Sequence, residues 1–142
     1  MLCKDGLKIL KQVTPEVEKL FKDKNFASFA TLMEDGSPQV TPVWIDYDNG
    51  DILINTAEGR TKTRNVSKNP KVAVSVTDSS NPYTMVSVRG RIVEQTNQGA
   101  DEHIDKMAKK YLGMDKYPFR APGESRILLK IRPEHVIYMQ NS

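Results

Sequence analysis

The strongest constraint on the fold is the tight turn that the dipeptide Asn49-Gly50 predicts between two strand-like segments. Asn-Gly favours the left-handed backbone conformation of two-residue hairpin turns. Residues 34–37 supply similar turn chemistry. Three successive segments are therefore joined by very short connections: 27–33, 39–47 and 52–56. Parallel neighbours would need crossovers of a dozen or more residues, so the sequence predicts an antiparallel three-stranded meander.

Three amphipathic segments predict helices, at residues 15–23, 61–69 and 100–113. The first begins with Thr14-Pro15, a capping side chain followed by proline at the first helical position. The third has apolar residues at i, i+3, i+4, i+7 and i+8, the pattern of a helix with one buried face. Further strands are predicted at 72–77, 83–95, 126–131 and 136–139. Gly90 indicates a bend or bulge in the longest of them.

The composition is that of a globular domain, with 142 residues of which 38% are hydrophobic and 27% charged. The short strands with helices between them predict an α+β fold, mainly an antiparallel six- to seven-stranded split β-barrel with flanking helices. We expect residues 1–142 to form a single domain. The first residues, MLCKDGLKILKQV, lack the apolar core of a signal peptide, and the single cysteine, Cys3, cannot form an internal disulfide. These features predict a cytoplasmic protein.

Positive charge is concentrated between two of the predicted strands. No acidic residue occurs between Glu58 and Asp78, whereas the same interval holds five cations: Arg60, Lys62, Arg64, Lys68 and Lys71. Several of them lie near the start of the predicted helix 61–69, where the helix dipole is already positive and acidic residues are favoured. Such a helix end is suited to an anion, so we expect a phosphate-bearing cofactor there. The alternative is a solvated helix face without a ligand.

Other kinds of chemistry have little support in the sequence. His103, His135 and Cys3 have no metal-ligand spacing, and we expect His103 to be a surface side chain. Nucleophile, Walker and Gly-x-Gly-x-x-Gly motifs are absent. The net charge of +3 is mild, and the few aromatic residues are not interleaved with the cations as in a nucleic-acid-binding barrel. We therefore expect no metal, no catalytic side chain, no nucleic acid and no membrane partner, and infer that any enzymatic chemistry needs a cofactor.

Several short motifs carry a family resemblance. In chain order they are QVTPVW (39–44), INTAEGRTKTRN (54–65), NPKVA (69–73), VRGR (88–91), YLG (111–113), PGESR (122–126) and IRPE (131–134). Together they resemble the FMN-binding split-barrel superfamily related to pyridoxamine 5'-phosphate oxidase, and within it the flavin/deazaflavin oxidoreductase branch. The run 132–135, RPEH, departs from the C-terminal Arg-x-His substrate motif of pyridoxamine-phosphate oxidases proper. Oxidation of pyridoxamine phosphate is therefore not expected.

The resemblance implies twelve cofactor-binding residues. Those on or near the cofactor phosphate would be Arg60, Lys62, Thr63, Arg64 and Asn65. Those along the tricyclic ring would be Thr41, Pro42, Val43 and Trp44, and those under the ring and the ribityl chain Asn55, Thr56 and Ala57. For Trp44, a role as a core aromatic residue is the alternative.

The resemblance also implies a function. It predicts an oxidoreductase that uses a reduced deazaflavin, coenzyme F-420, to transfer hydride to a small conjugated organic substrate. FMN is the alternative cofactor, because it shares the tricyclic ring, the ribityl chain and the phosphate. A non-catalytic flavin-binding carrier or sensor is a further alternative. The resemblance implies a homodimer with the cofactor grooves at the subunit interface.

Overall fold

The computed structural model describes residues 6–140, so Cys3 and the expectation that rests on it lie outside the described residues. The elements in chain order are β1 (Leu7–Leu10), α1 (Pro15–Lys22), β2 (Ala27–Leu32), β3 (Pro38–Val43), β4 (Asp46–Asp48), β5 (Asp51–Ala57), α2 (Thr61–Lys68), β6 (Lys71–Asp78), β7 (Asn81–Thr96), α3 (Ala100–Leu112) and β8 (Arg126–Gln140). The predicted α+β split barrel is confirmed, with eight strands in this range. Within residues 6–140, no helix is both long enough and apolar enough to cross a membrane.

The strands form one antiparallel sheet in the order β3-β2-β6-β7-β8-β5-β4, and β1 pairs with β8. β3 and β4 therefore lie at opposite ends of this path, although only Trp44 and Ile45 separate them in the chain. So short a connection spans at most about 11 Å. The sheet must consequently curl until its two edges lie close together, which gives a barrel split along the line between β3 and β4.

The prediction that residues 39–47 form one strand is wrong, and so is the three-stranded meander. β3 ends at Val43 and pairs with β2, whereas β4 pairs with β5 at the other edge. The ladder stops between them because the Ile45 N–H donates to the Tyr111 hydroxyl, at 3.1 Å, instead of to a neighbouring strand. The predicted turn between β4 and β5 is confirmed, since Asn49 and Gly50 have φ angles of 51° and 88°.

The predicted bulge at Gly90 is also confirmed. The register between β7 and β8 shifts between Arg89 and Gly90. A Cβ atom at Gly90 would lie 2.2 Å from the Arg132 carbonyl oxygen, so the backbone of β8 leaves no room for a side chain. β8 is one strand where two were predicted. It continues through Pro133, which lies opposite Gly90 at the bulge, where a missing backbone donor is tolerated.

Alternating aliphatic side chains of the strands fill the barrel interior, and α1 packs Val17, Leu20 and Phe21 against them. The helix α3 lies outside the barrel and buries a smaller cluster of Ile104, Met107 and Tyr111. Trp44 and Tyr117 pack against this second cluster. The connection between β3 and β4 and the loop after α3 therefore meet beside α3.

Candidate functional site

A cavity of about 270 Å³ lies where these segments meet. Its walls come from the connection between β3 and β4, from β5, from the start of α2, from α3 and from the segment leading into β8. The lining residues are Phe26, Pro42, Val43, Trp44, Asn55, Arg60, Lys62, Ile104, Tyr117, Phe119 and Arg126. The fold thus brings together aromatic rings and cations around one cavity.

The aromatic wall is built around Trp44. Its ring stacks on Tyr111 with centroids 5.0 Å apart and planes 5° apart, and Tyr117 meets it edge-on at 5.9 Å. The Tyr111 hydroxyl is fixed by two backbone groups, accepting the Ile45 N–H at 3.1 Å and donating to the Asn25 carbonyl at 2.6 Å. Burial raises the pKa of Tyr111 to about 12, so the hydroxyl remains protonated. The result is a fixed, flat aromatic surface suited to stacking or edge contact with a planar ring.

The cationic part of the cavity has three side chains. Arg60 is the N-cap residue of α2, Lys62 lies in the first turn of α2, and Arg126 begins β8. One carboxylate, Glu124, lies 3.5 Å from Arg60 Nη2 and 3.2 Å from Arg126 Nη1. Burial, with the charges of Arg60 and Arg126, lowers the pKa of Lys62. Glu124 thus balances only part of the charge of the three cations, and the remaining positive potential favours an anion.

Arg126 is the most deeply buried of these cations, with only 4% of its surface exposed. Its Nε donates to Asn55 Oδ1 at 3.0 Å, and the Tyr117 ring lies 5.1 Å from its guanidinium carbon. Its Nη1, although close to Glu124, makes no hydrogen bond of good geometry with the described residues. Arg126 therefore lines the cavity as a buried guanidinium that is held by Asn55 on one side and by the charge of Glu124 on the other.

The expectation that His103 is a surface side chain is wrong. Its side chain is 9% exposed and lies 3.1 Å from Asp46 Oδ2 and 3.2 Å from Asn55 Nδ2. Burial alone would raise the pKa of Asp46, but the hydrogen bonds from His103 and the Tyr47 N–H, with Lys106 and Lys22 nearby, hold that pKa well below its usual range. His103 therefore faces a carboxylate on one side and a residue of the cavity wall on the other.

The sequence model of the pyridoxamine 5'-phosphate oxidase family matches residues 13–140, nearly the whole chain. The chain belongs to this family. The match confirms the superfamily inferred from the sequence motifs, a superfamily of flavin-type oxidoreductases. No curated protein gives a significant sequence match.

Solved structures with the same fold include an F420 reductase that is 28% identical, with a TM-score of 0.76 over 87% of this chain and 98% of that chain. HupZ from Group A Streptococcus is 18% identical, with a TM-score of 0.66 over 92% of this chain and 97% of that one. General Stress Protein 26 from Bacillus anthracis is 16% identical, with a TM-score of 0.62 over 87% and 91% of the two chains. At these identities, the last two similarities show only that the fold is shared with this member of the pyridoxamine 5'-phosphate oxidase family.

The structure brings six of the twelve implied cofactor-binding residues to the cavity. They are Pro42, Val43, Trp44, Asn55, Arg60 and Lys62. Trp44 packs on the α3 cluster and also lines the cavity.

The other six residues do not line the cavity. Thr41 lies within β3, and Thr56 is buried in the same β5 strand as Asn55, one position further and so on the opposite face. The Ala57 carbonyl accepts the Thr63 hydroxyl at 2.8 Å, which fixes the start of α2. Arg64 folds back onto the Gly59 carbonyl and the Thr61 hydroxyl. Asn65 is buried and donates to the Thr31 hydroxyl at 2.9 Å.

Five lining residues were not predicted from the sequence: Phe26, Ile104, Tyr117, Phe119 and Arg126. Ile104 was recognised only as part of the apolar face of α3. Arg126 belongs to the motif PGESR, which contributed to the resemblance but not to the implied site. A charged residue directly before the apolar run 127–129 is the signal that could have drawn attention to it, because a cation beginning a buried strand needs a partner.

Proposed function

We propose that this protein is a cytoplasmic oxidoreductase that binds reduced deazaflavin coenzyme F-420 in the cavity and uses it to reduce a small conjugated organic substrate. The main support for the proposal is that one cavity contains both a flat aromatic wall and a cluster of three cations. The likeness to an F420 reductase supports the choice of cofactor. The bound coenzyme would supply the hydride, and solvent the accompanying proton.

The cavity residues fit the parts of such a cofactor. Trp44, Val43 and Pro42 offer an apolar surface to the tricyclic ring, and Asn55 is a polar residue of the same cavity wall. Arg60 and Lys62 offer a guanidinium fork and an ammonium group to the phosphate. Thr63 and Asn65 support them from behind, since their hydrogen bonds fix the start of α2 and its packing on β2. Ala57 and Arg64 belong to the same support, since the Ala57 carbonyl accepts the Thr63 hydroxyl and Arg64 donates to the Gly59 carbonyl. Thr41 and Thr56 stay predicted cofactor-binding residues of β3 and β5, outside the lining of the cavity.

FMN is the second candidate cofactor, because it presents the same ring, chain and phosphate to the same groups. A carrier or sensor would bind a flavin without turnover. Fluorescence titration of the purified protein with F-420 and with FMN shows which cofactor binds, and an assay of turnover distinguishes an enzyme from a carrier or sensor. The proposal requires binding of F-420 and consumption of its reduced form with a panel of enones and quinones. Binding without consumption favours the carrier, and the absence of any binding refutes the proposal.

We also propose that two copies of the chain complete the site. The cavity of about 270 Å³ is slightly smaller than the roughly 300–1,000 Å³ of pockets that enclose drug-sized ligands. Two of its lining residues, Phe26 and Phe119, are 62% and 66% exposed, so the rim of the cavity is apolar. A partner subunit covering this rim would exclude water from the ring. Sedimentation of the purified protein at several concentrations tests this, and a monomer at all of them contradicts it.

Two double variants test the placement of the phosphate. Arg60→Ala with Lys62→Ala should weaken F-420 or FMN binding roughly a hundredfold, about 3 kcal/mol, because charge-assisted contacts to the phosphate are lost. Lys68→Ala with Lys71→Ala is the matched control, since it removes the same charge from the same basic stretch but outside the cavity. Equal losses in the two double variants would show that general electrostatics, and not the cavity, sets the affinity.

A further inference from the structure

A chain of hydrogen-bonded side chains runs from the first residue of β4 to the cavity. Asp46 Oδ2 lies 3.1 Å from His103 Nε2, His103 Nδ1 lies 3.2 Å from Asn55 Nδ2, and Asn55 Oδ1 lies 3.0 Å from Arg126 Nε. Asp46 and Arg126 are buried, and the His103 side chain is 9% exposed. Only the last two members line the cavity, so His103 can act on a ligand only through Asn55 and Arg126.

The contacts around Asn55 fix the direction of every hydrogen bond in the chain. The amide nitrogen of Asn55 also donates to the Ala100 carbonyl at 2.7 Å, and the amide oxygen faces the Arg126 N–H, so the amide cannot be reversed without losing both contacts. The second hydrogen of the amide nitrogen therefore points at His103 Nδ1, which must accept it. His103 consequently carries its hydrogen on Nε2 and donates it to Asp46.

This arrangement orients the guanidinium group of Arg126. Its Nε donates to Asn55 and its guanidinium carbon lies 5.1 Å from the centre of the Tyr117 ring, while Nη1 lies 3.2 Å from Glu124 without a well-aligned hydrogen bond. Arg60 is about half exposed and Lys62 has a flexible stem, so Arg126 is the cation whose direction the fold controls most closely. Phosphate binding by a guanidinium fork depends on that direction.

We propose that His103 is a positioning residue for anion binding: through Asn55 it holds Arg126 as the oriented, third phosphate-binding cation of the cavity. The inference rests on the proposed function in that the anion is taken to be the cofactor phosphate. Asp46, held by Lys22 at 3.2 Å and Lys106 at 3.6 Å, anchors the far end of the chain.

Two substitutions separate positioning from simple packing. His103→Asn places an amide group near the former Nδ1, where its oxygen can still accept from Asn55, whereas His103→Gln places its amide near the former Nε2 and keeps only the Asp46 contact. The readout is the phosphate preference, defined as the dissociation constant of riboflavin divided by that of FMN. For the deazaflavin, the coenzyme and its phosphate-free ribityl form serve as the pair.

We expect His103→Gln to lower the phosphate preference about tenfold, the equivalent of one misdirected charge-assisted hydrogen bond. His103→Asn should keep most of the preference, and both variants should bind the phosphate-free ligand as the wild type does. An unchanged preference in His103→Gln overturns the proposal. The proposal is also overturned if both variants lose the phosphate preference equally and bind the phosphate-free ligand more weakly, because that result indicates a packing role for His103.

A double-mutant experiment combines His103→Gln with Arg126→Lys, which keeps the positive charge but removes the Nε–H group that contacts Asn55. In this background His103→Gln should leave the phosphate preference unchanged while still lowering the urea midpoint of unfolding. A further tenfold loss would show that His103 acts by another route.

A ligand-free measurement keeps the inference separate from the proposed function. Nitrogen-15 NMR should show His103 with its hydrogen on Nε2, and the opposite tautomer contradicts the chain. If the wild type binds no flavin, the proposed function fails, and inorganic phosphate becomes the probe, followed through the Arg126 Nε–H signal. That signal should respond to phosphate in the wild type and in His103→Asn but not in His103→Gln. No response in the wild type overturns the inference.

Discussion

The substitution Tyr111→Phe tests how the cavity wall is held in place. The Tyr111 hydroxyl accepts the Ile45 N–H at 3.1 Å and donates to the Asn25 carbonyl at 2.6 Å. Ile45 and Asn25 are 0% and 2% exposed, so water cannot readily replace the lost partner. A buried group left unpaired costs about 1–3 kcal/mol, so two such groups should lower the free energy of unfolding by about 2–6 kcal/mol. The stacking of the ring on Trp44 is retained.

Urea unfolding followed by tryptophan fluorescence measures this loss directly, because Trp44 is the only tryptophan and stacks on the altered ring. Tyr83→Phe is the control, since Tyr83 is 52% exposed and its substitution should change stability by less than about 0.5 kcal/mol. If both variants lower the free energy of unfolding by the same small amount, the Tyr111 hydroxyl does not hold the connection between β3 and β4.

Two further predictions concern the packing of the barrel and the pH dependence of the free energy of unfolding. Gly90→Ala should lower the free energy of unfolding by at least about 2 kcal/mol in urea titrations, because the new Cβ would lie 2.2 Å from a backbone oxygen of β8; a neutral effect would mean that β8 moves freely. Burial lowers the pKa of Lys110 from its ordinary 10.5 to about 8. Between these two pH values the unfolded chain binds more protons than the folded protein, so the free energy of unfolding should rise with pH, by at most about 1.4 kcal/mol per pH unit. Lys110→Met should reduce this rise between about pH 8 and 9, where few tyrosines of the unfolded chain, with an ordinary pKa near 10, are ionised.

Local signals predicted the local structure correctly. The turn at Asn49-Gly50 and the bulge at Gly90 follow from backbone preferences that a few residues decide. The helices α1, α2 and α3 match their predicted ranges to within one residue. Pro15 begins α1 and Gly113 ends α3 as predicted, but Thr14 makes no capping hydrogen bond with its side chain. The start of α2 was likewise visible in the sequence as an accumulation of cations, and Arg60 and Lys62 do line the cavity.

Pairings between distant segments could not be predicted in the same way. Whether residues 39–47 form one strand or two depends on Tyr111, a residue of α3 that intercepts the Ile45 N–H. The burial of His103 depends on Asp46 from the far edge of the sheet. The implied site did not distinguish the two faces of β5, although the alternation of side chains along a strand places Thr56 and Asn55 on opposite faces. Arg126 becomes part of the cavity only when β8 pairs with β5.

The sheet order also has a consequence for the synthesis of the chain. β5 has only the three-residue β4 as an early partner, and its main partner, β8, begins at Arg126. At a ribosomal rate of roughly 5–20 residues per second, the apolar strand Ile52, Leu53 and Ile54 waits several seconds for that partner. During this interval the nascent chain presents an open, aggregation-prone edge. We therefore expect recovery of folded protein to depend on translation speed and chaperone supply more strongly than its equilibrium stability would suggest.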